Sequence, residues 1–179
     1  MKKKLVIFSG SNKIIEDTKL TINLEKIADN LDVNKFQVWY GGNNGIMGVI
    51  PRKFYYRNGE VFSIETEQFA TKYEEIYDKT VVNDTFNERH HKLIEHCDLY
   101  LYLPGGVETL GDLFTVLVNN DVNRKELKIV LYSYQNFYKD IINFIEKNIK
   151  EGYIRKKIMK NIFVFIDYRH IITFLTNTR

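Results

Sequence analysis

The chain has few of the residues that brace a fold from outside its core. Cys97 is the one cysteine in 179 residues, so no disulfide can close within the chain. It leads into an apolar strand and is expected to be a buried structural thiol rather than a nucleophile. Long hydrophobic runs are also missing. Leu5-Val6-Ile7-Phe8 is too short for a signal-peptide core or a membrane span, so a cytoplasmic protein with no membrane partner is expected. No charge dominates either. With 26 basic and 23 acidic side chains the formal net charge is +3, too weak to argue for nucleic acid. His90, His91 and His96 lack companion cysteines or carboxylates at ligand spacing, so no metal is expected.

What is present alternates between strand and helix. Leu5–Phe8, Phe36–Tyr40, Glu60–Glu65, Leu99–Leu103, Ile129–Tyr132 and Ile162–Ile166 read as strands, short and rich in β-formers. Between them, Thr18–Leu31, Ile46–Tyr56, Phe86–His96, Thr109–Val118, Phe137–Lys150 and His170–Thr176 read as helices from their apolar stripes. Gln68–Val82 shows no clear period. No linker, repeat or low-complexity block divides the chain. The expectation is one domain over residues 1–179, an α/β, Rossmann-like doubly wound fold with a mostly parallel central sheet flanked by helices. Such folds bind ligands outside the carboxyl ends of their strands. Three loops lie there, all glycine-rich or small and polar: Ser9–Asn12, Gly41–Gly45 and Pro104–Thr109.

The third loop carries the most chemistry. Leu99–Leu103 ends at Pro104-Gly105-Gly106, and a helical pattern starts near Thr109. A tight glycine turn into a helix leaves backbone N–H groups aimed at an incoming anion. Thr109 can add a hydroxyl, or it can be no more than the cap of its helix. Asp112, one turn on, is either a carboxylate favoured by the helix dipole or a catalytic one. Arg89 lies one helix and one strand before this loop, a connection able to return it to the same sheet edge.

Together these residues resemble the LOG ("lonely guy") family, long labelled lysine decarboxylases. Its pattern Pro-Gly-Gly-x-Gly-Thr-x-x-Glu is similar to Pro104-Gly105-Gly106-Val107-Glu108-Thr109-Leu110-Gly111-Asp112. Its Glu-Arg-Lys segment is similar to Glu88-Arg89-His90, and its glycine-rich segment to Gly41-Gly42-Asn43-Asn44-Gly45-Ile46-Met47-Gly48. Ser9-Gly10-Ser11 resembles its opening loop, and the tail from Asn136 to Ile154 also resembles family sequence. The resemblance implies a homodimeric Rossmann-like phosphoribohydrolase. Such an enzyme cuts a nucleoside 5′-monophosphate, typically of a cytokinin, to free base and ribose 5-phosphate, with no cofactor. It implies Arg89 and Asp112 as catalytic residues. It places Ser11, Gly41, Gly42, Asn43, Gly45, Met47, Gly105, Gly106, Glu108 and Thr109 at the nucleotide.

Three positions depart from the pattern. Glu108 replaces a glycine, Asp112 replaces a glutamate, and Asn43 stands where a third glycine is usual. An inward Glu108 costs phosphate binding about 1–3 kcal/mol at an effective dielectric near 20. The shorter Asp112 draws the carboxylate back by one methylene. A nucleotide-binding module without turnover and a related N-glycosidase or deoxyribosyltransferase are the competing functions. Lysine decarboxylation is not expected, because no lysine sits in a recognisable pyridoxal-phosphate context.

Overall fold

The computed structural model describes residues 1–10, 18–41, 45–66, 80–83, 85–95, 97–123 and 126–178. Ser11, Gly42 and Asn43 lie outside the described residues. Seven strands form one sheet: β1 (Lys3–Phe8), β2 (Phe36–Tyr40), β3 (Glu60–Thr66), β4 (Thr80–Asn83), β5 (Leu99–Tyr102), β6 (Lys128–Tyr132) and β7 (Ile162–Phe165). Their order is β4-β3-β2-β1-β5-β6-β7, and every neighbouring pair is parallel. The helices are α1 (Thr18–Asn30), α2 (Ile46–Tyr56), α3 (Phe86–Ile94), α4 (Val107–Val122), α5 (Lys139–Lys150) and α6 (Tyr168–Asn177).

The strand sequences explain the layering. All four residues of Leu5–Phe8 are buried, as expected of a parallel strand covered on both faces. Leu5 and Ile7 join Val38, Tyr40, Leu99 and Leu101 in a core with α1, α2 and α6. The alternate residues Val6, Phe8, Tyr100 and Tyr102 point the other way, into a core with α3, α4 and α5. The chain builds outward from β1 to β4, then crosses back to β5 on the other side of β1. The order reverses there, so the loops after β1 and β5 frame the crevice where such sheets take ligands.

The structure corrects the sequence reading in four places. Thr80–Asn83, inside the stretch without a clear period, is the edge strand β4, paired parallel to β3. Helix α4 begins at Val107, because Gly106 is its N-cap and Leu110 N–H bonds to Gly106 O; Thr109 is therefore not the cap. The same helix runs on to Val122 because Asn120 finds partners outside it, bonding Leu127 N–H and C=O through its amide. Helix α5 begins at Lys139 rather than Phe137, because a 3₁₀ turn over Tyr134–Asn136, with Gln135 and Asn136 left-handed, precedes it. Cys97 is buried as expected. Its thiol donates to Leu99 O at 3.0 Å, and burial pushes it up to about 12.

Candidate functional site

The loop after β5 is held from both sides. Leu103 N–H bonds to Phe8 O, while Gly10 N–H and the Ser9 hydroxyl both donate to Pro104 O. Tyr138, fully buried, donates its hydroxyl to Leu103 O and its backbone N–H to Ser133 Oγ. Gly105 has no room for a side chain. A Cβ there would stand 2.2 Å from Thr109 Oγ1 and 2.6 Å from Gly10 N. Space above Gly106 is open, since a Cβ there would meet nothing within 4 Å.

Above this loop lies a cavity of about 640 Å³. Ser9, Gly10, Pro104–Thr109, Ile46 at the head of α2, and Phe137 form its walls. No side chain caps α4, so the N–H groups of its first turn face an open end. Thr109 is 2 % exposed and reaches the cavity from beneath Gly105. Phe137 is a wall that sequence reasoning missed. Its only signal lay in the tail segment noted above, because a helical reading of Phe137 hid the turn that presents it.

A second group meets this edge from α3. Thr85 caps α3 in a capping box with Glu88, both reciprocal bonds being present. Glu88 is thereby occupied, and Arg89, next in the chain, turns inward with a side chain 11 % exposed. Its Nε donates to Ile64 O and its Nη2 to Gly41 O, both at 3.0 Å, so the guanidinium ties β3 to the residue after β2. Gly41 makes this possible: a Cβ there would fall 2.0 Å from Arg89 Nη2. Arg89 Nη1 lies 3.4 Å from Glu108 Oε1. Glu108 therefore lies between the cavity, which it lines, and the guanidinium.

One helical turn along α4, Asp112 is buried, with Oδ1 2.7 Å from His90 Nδ1. Beneath it, the Tyr102 phenol is pushed far up, first by burial and then by the Asp112 charge. The structure thus brings Arg89, Asp112, Gly41, Gly105, Gly106, Glu108 and Thr109 to one sheet edge. Gly45 is the N-cap of α2, and Met47 packs in the core on the α1 side, where Ile46 rather than Met47 faces the cavity. Arg89 and Asp112 stand behind Glu108 instead of in the cavity wall. His90 was discounted as a metal ligand, and its contact with Asp112 is what the sequence could not show. Among the described residues, no group of three His, Cys, Asp or Glu is placed to hold a metal ion.

Comparison with known proteins decides the family. The family model described as "possible lysine decarboxylase", which is the LOG family, matches residues 38–174. The chain belongs to that family. Cytokinin riboside 5′-monophosphate phosphoribohydrolase LOG1 of Arabidopsis thaliana is 27 % identical over 161 residues, which span 85 % of this chain and 72 % of LOG1. Its relative LOG5 of the same plant is 25 % identical, covering 90 % of this chain and 72 % of its own. Among solved structures, TM1055 superposes with a TM-score of 0.75 at 15 % identity, over 98 % of this chain and 99 % of that one. The molybdenum cofactor carrier protein of Chlamydomonas reinhardtii superposes at 0.70 with 11 % identity, over 98 % and 97 %. These two show the same doubly wound fold. The LOG-family match leaves β1 and its loop outside its bounds, yet Ser9 and Gly10 complete the cavity. No described helix is long and apolar enough to cross a membrane.

Proposed function

We propose that this LOG-family chain is a nucleoside 5′-monophosphate phosphoribohydrolase, releasing free base and ribose 5-phosphate. One observation carries the reading. An uncapped helix N-terminus opens above Gly106, and a buried carboxylate, Asp112, sits one to two turns along the same helix. The 5′-phosphate takes the N–H groups of the first turn together with Thr109, as the helix dipole favours. Binding energy spent on this remote group positions the scissile bond. Breaking an N-glycosidic bond builds positive charge on the ribose ring, and the Asp112 charge opposes it. Arg89 holds the strand ends and offsets Glu108, which leaves the loop usable by an anion. The names of the curated relatives support the same reaction class.

Incubation with a panel of nucleoside 5′-monophosphates, read as free base and ribose 5-phosphate, tests the proposal. Binding of several nucleotides with no release from any would support the second reading, a nucleotide-binding module. The observation behind that reading is Glu108, whose carboxylate lines the cavity and takes a guanidinium nitrogen of Arg89. We also infer a cytoplasmic homodimer. Val107, Val118 and Val122 lie along one stripe of α4 and are 89 %, 57 % and 68 % exposed, an apolar stripe suited to a second copy. Light scattering on the wild type and on Val118→Glu tests it, with a halved mass expected of the variant.

A further inference from the structure

Phe137 is the one aromatic side chain among the described residues that line the cavity. It is 46 % exposed, so its ring is accessible to a ligand instead of being enclosed in the core. The Tyr138 ring meets it at 81°, with centroids 5.1 Å apart. At that angle Tyr138 leaves at least one flat face of Phe137 uncovered. The ring is also held in place. Gln135 and Asn136 take φ of 51° and 61°, a strained conformation for non-glycine residues that persists only where neighbours enforce it. Asn136 N–H and Phe137 N–H close the turn by donating to Ser133 O and Tyr134 O. The next residue, Tyr138, is tied through its hydroxyl to Leu103 O, one residue before the Pro104 loop. Phe137 is thereby fixed relative to the loop that leads into α4. A ring ordered in advance loses little freedom when a planar group docks on it.

We propose that Phe137 is the base-recognition residue of this site: the nucleobase stacks on its ring while the phosphate lies at the head of α4. The inference rests on the nucleotide-binding part of the phosphoribohydrolase reading. A cavity of about 640 Å³ has room for a whole small ligand, so ribose and base enter with the phosphate. Every nucleobase has a π-face, and the other apolar side chains of the wall, Ile46, Pro104 and Val107, offer none to match it. Stacking holds a base without reading its hydrogen-bonding edge. Phe137 therefore separates nucleotides from bare sugar phosphates and leaves the choice among bases to other groups.

The test titrates the wild type, Phe137→Leu and Phe137→Trp with a nucleoside 5′-monophosphate and with ribose 5-phosphate. Leucine keeps apolar bulk but removes the π-face. Nucleotide affinity should fall about tenfold in Phe137→Leu, with ribose 5-phosphate affinity within about twofold of wild type. Equal weakening of both ligands overturns the inference, because the ring then only shapes the loop. A nucleotide affinity within about twofold of wild type overturns it as well. Phe137→Trp is the second variant should the first not fold. Its new indole should be quenched by the nucleotide and not by ribose 5-phosphate. Trp39, the chain's one tryptophan, lines a separate cavity, so the wild type supplies the background signal. Nucleotide binding without that quenching overturns the inference. Nucleotides that bind through Phe137 but are never cleaved overturn the hydrolase reading and leave the stacking inference standing. Cleavage whose KM is the same in Phe137→Leu as in the wild type overturns the stacking inference alone.

Discussion

Two charged contacts described between α3 and α4 differ in depth. Neighbouring residues on α3, Arg89 and His90, meet carboxylates one turn apart on α4, Glu108 and Asp112. The outer contact is 3.4 Å long and its carboxylate is 49 % exposed; the inner one is 2.7 Å long and its carboxylate is 9 % exposed. Water and salt screen the exposed outer pair more than the covered inner one. The comparison separates two jobs. An exposed pair is free to rearrange when an anion arrives, and a covered one holds a fixed geometry. Arg89 belongs to both descriptions, because its two backbone bonds are independent of Glu108.

The sharpest way to break this contrast is to neutralise the inner carboxylate. Asp112→Asn keeps the shape and removes the charge, and kcat should fall at least about 100-fold with little change in nucleotide affinity. Ribose 5-phosphate release measures it, and retention of more than a tenth of wild-type kcat would move catalysis away from Asp112. Gly105→Ala comes next. Its Cβ collides with Gly10 N as well as with Thr109, and backbone on one side cannot yield as a side chain does. A loss of about 1–3 kcal/mol is expected, read by denaturant unfolding, with loss of nucleotide binding. Normal stability and binding would mean the Pro104 loop is looser than its bonds imply.

The chain's own pattern made the frame legible. Short β-rich runs between amphipathic stripes were enough for six of the seven described strands and all six described α-helices. The loop after β5 was legible because a glycine pair between a strand and a helix leaves backbone N–H groups open to an anion, and the likeness to the LOG pattern chose that use over a plain turn. The pairings were not legible. Thr85-Phe86-Asn87-Glu88 carries the spacing of a capping box, but nothing in it says that Arg89 and His90 then face α4. Nor does the sequence say that Glu108 turns toward Arg89 while still lining the cavity, since that depends on how α3 and α4 are set side by side. Phe137 was hidden for another reason. Two non-glycine residues, Gln135 and Asn136, take the left-handed conformation, which apolar periodicity does not register.

The outer contact offers smaller effects. Arg89→Lys retains the charge but cannot span Ile64 O, Gly41 O and Glu108 at once. Losing one or two of these bonds should cost about 1–2 kcal/mol, or roughly 2–8 °C in Tm for a chain of this size. Thermal melting checks this, and an unchanged Tm would show that the strand ends do not depend on the guanidinium.

Glu108→Gln should have the smallest effect and the opposite sign. The exposed pair contributes at most about 1 kcal/mol to stability, so Tm should barely move. Removing a negative charge beside the anion position should instead tighten nucleotide binding. At water-like screening a unit charge about 4 Å away is worth about 1 kcal/mol, which is about fivefold in affinity. Because Glu108 is half exposed, that gain should shrink as salt rises and nearly vanish at 1 M, where the Debye length is about 3 Å. Titrations of a nucleoside 5′-monophosphate at low and high salt measure both. A gain that survives at 1 M salt would mean that Glu108 obstructs the cavity by its bulk. Equal affinities at low salt would place its charge wholly with Arg89, and the outer contact would then be as fixed as the inner one.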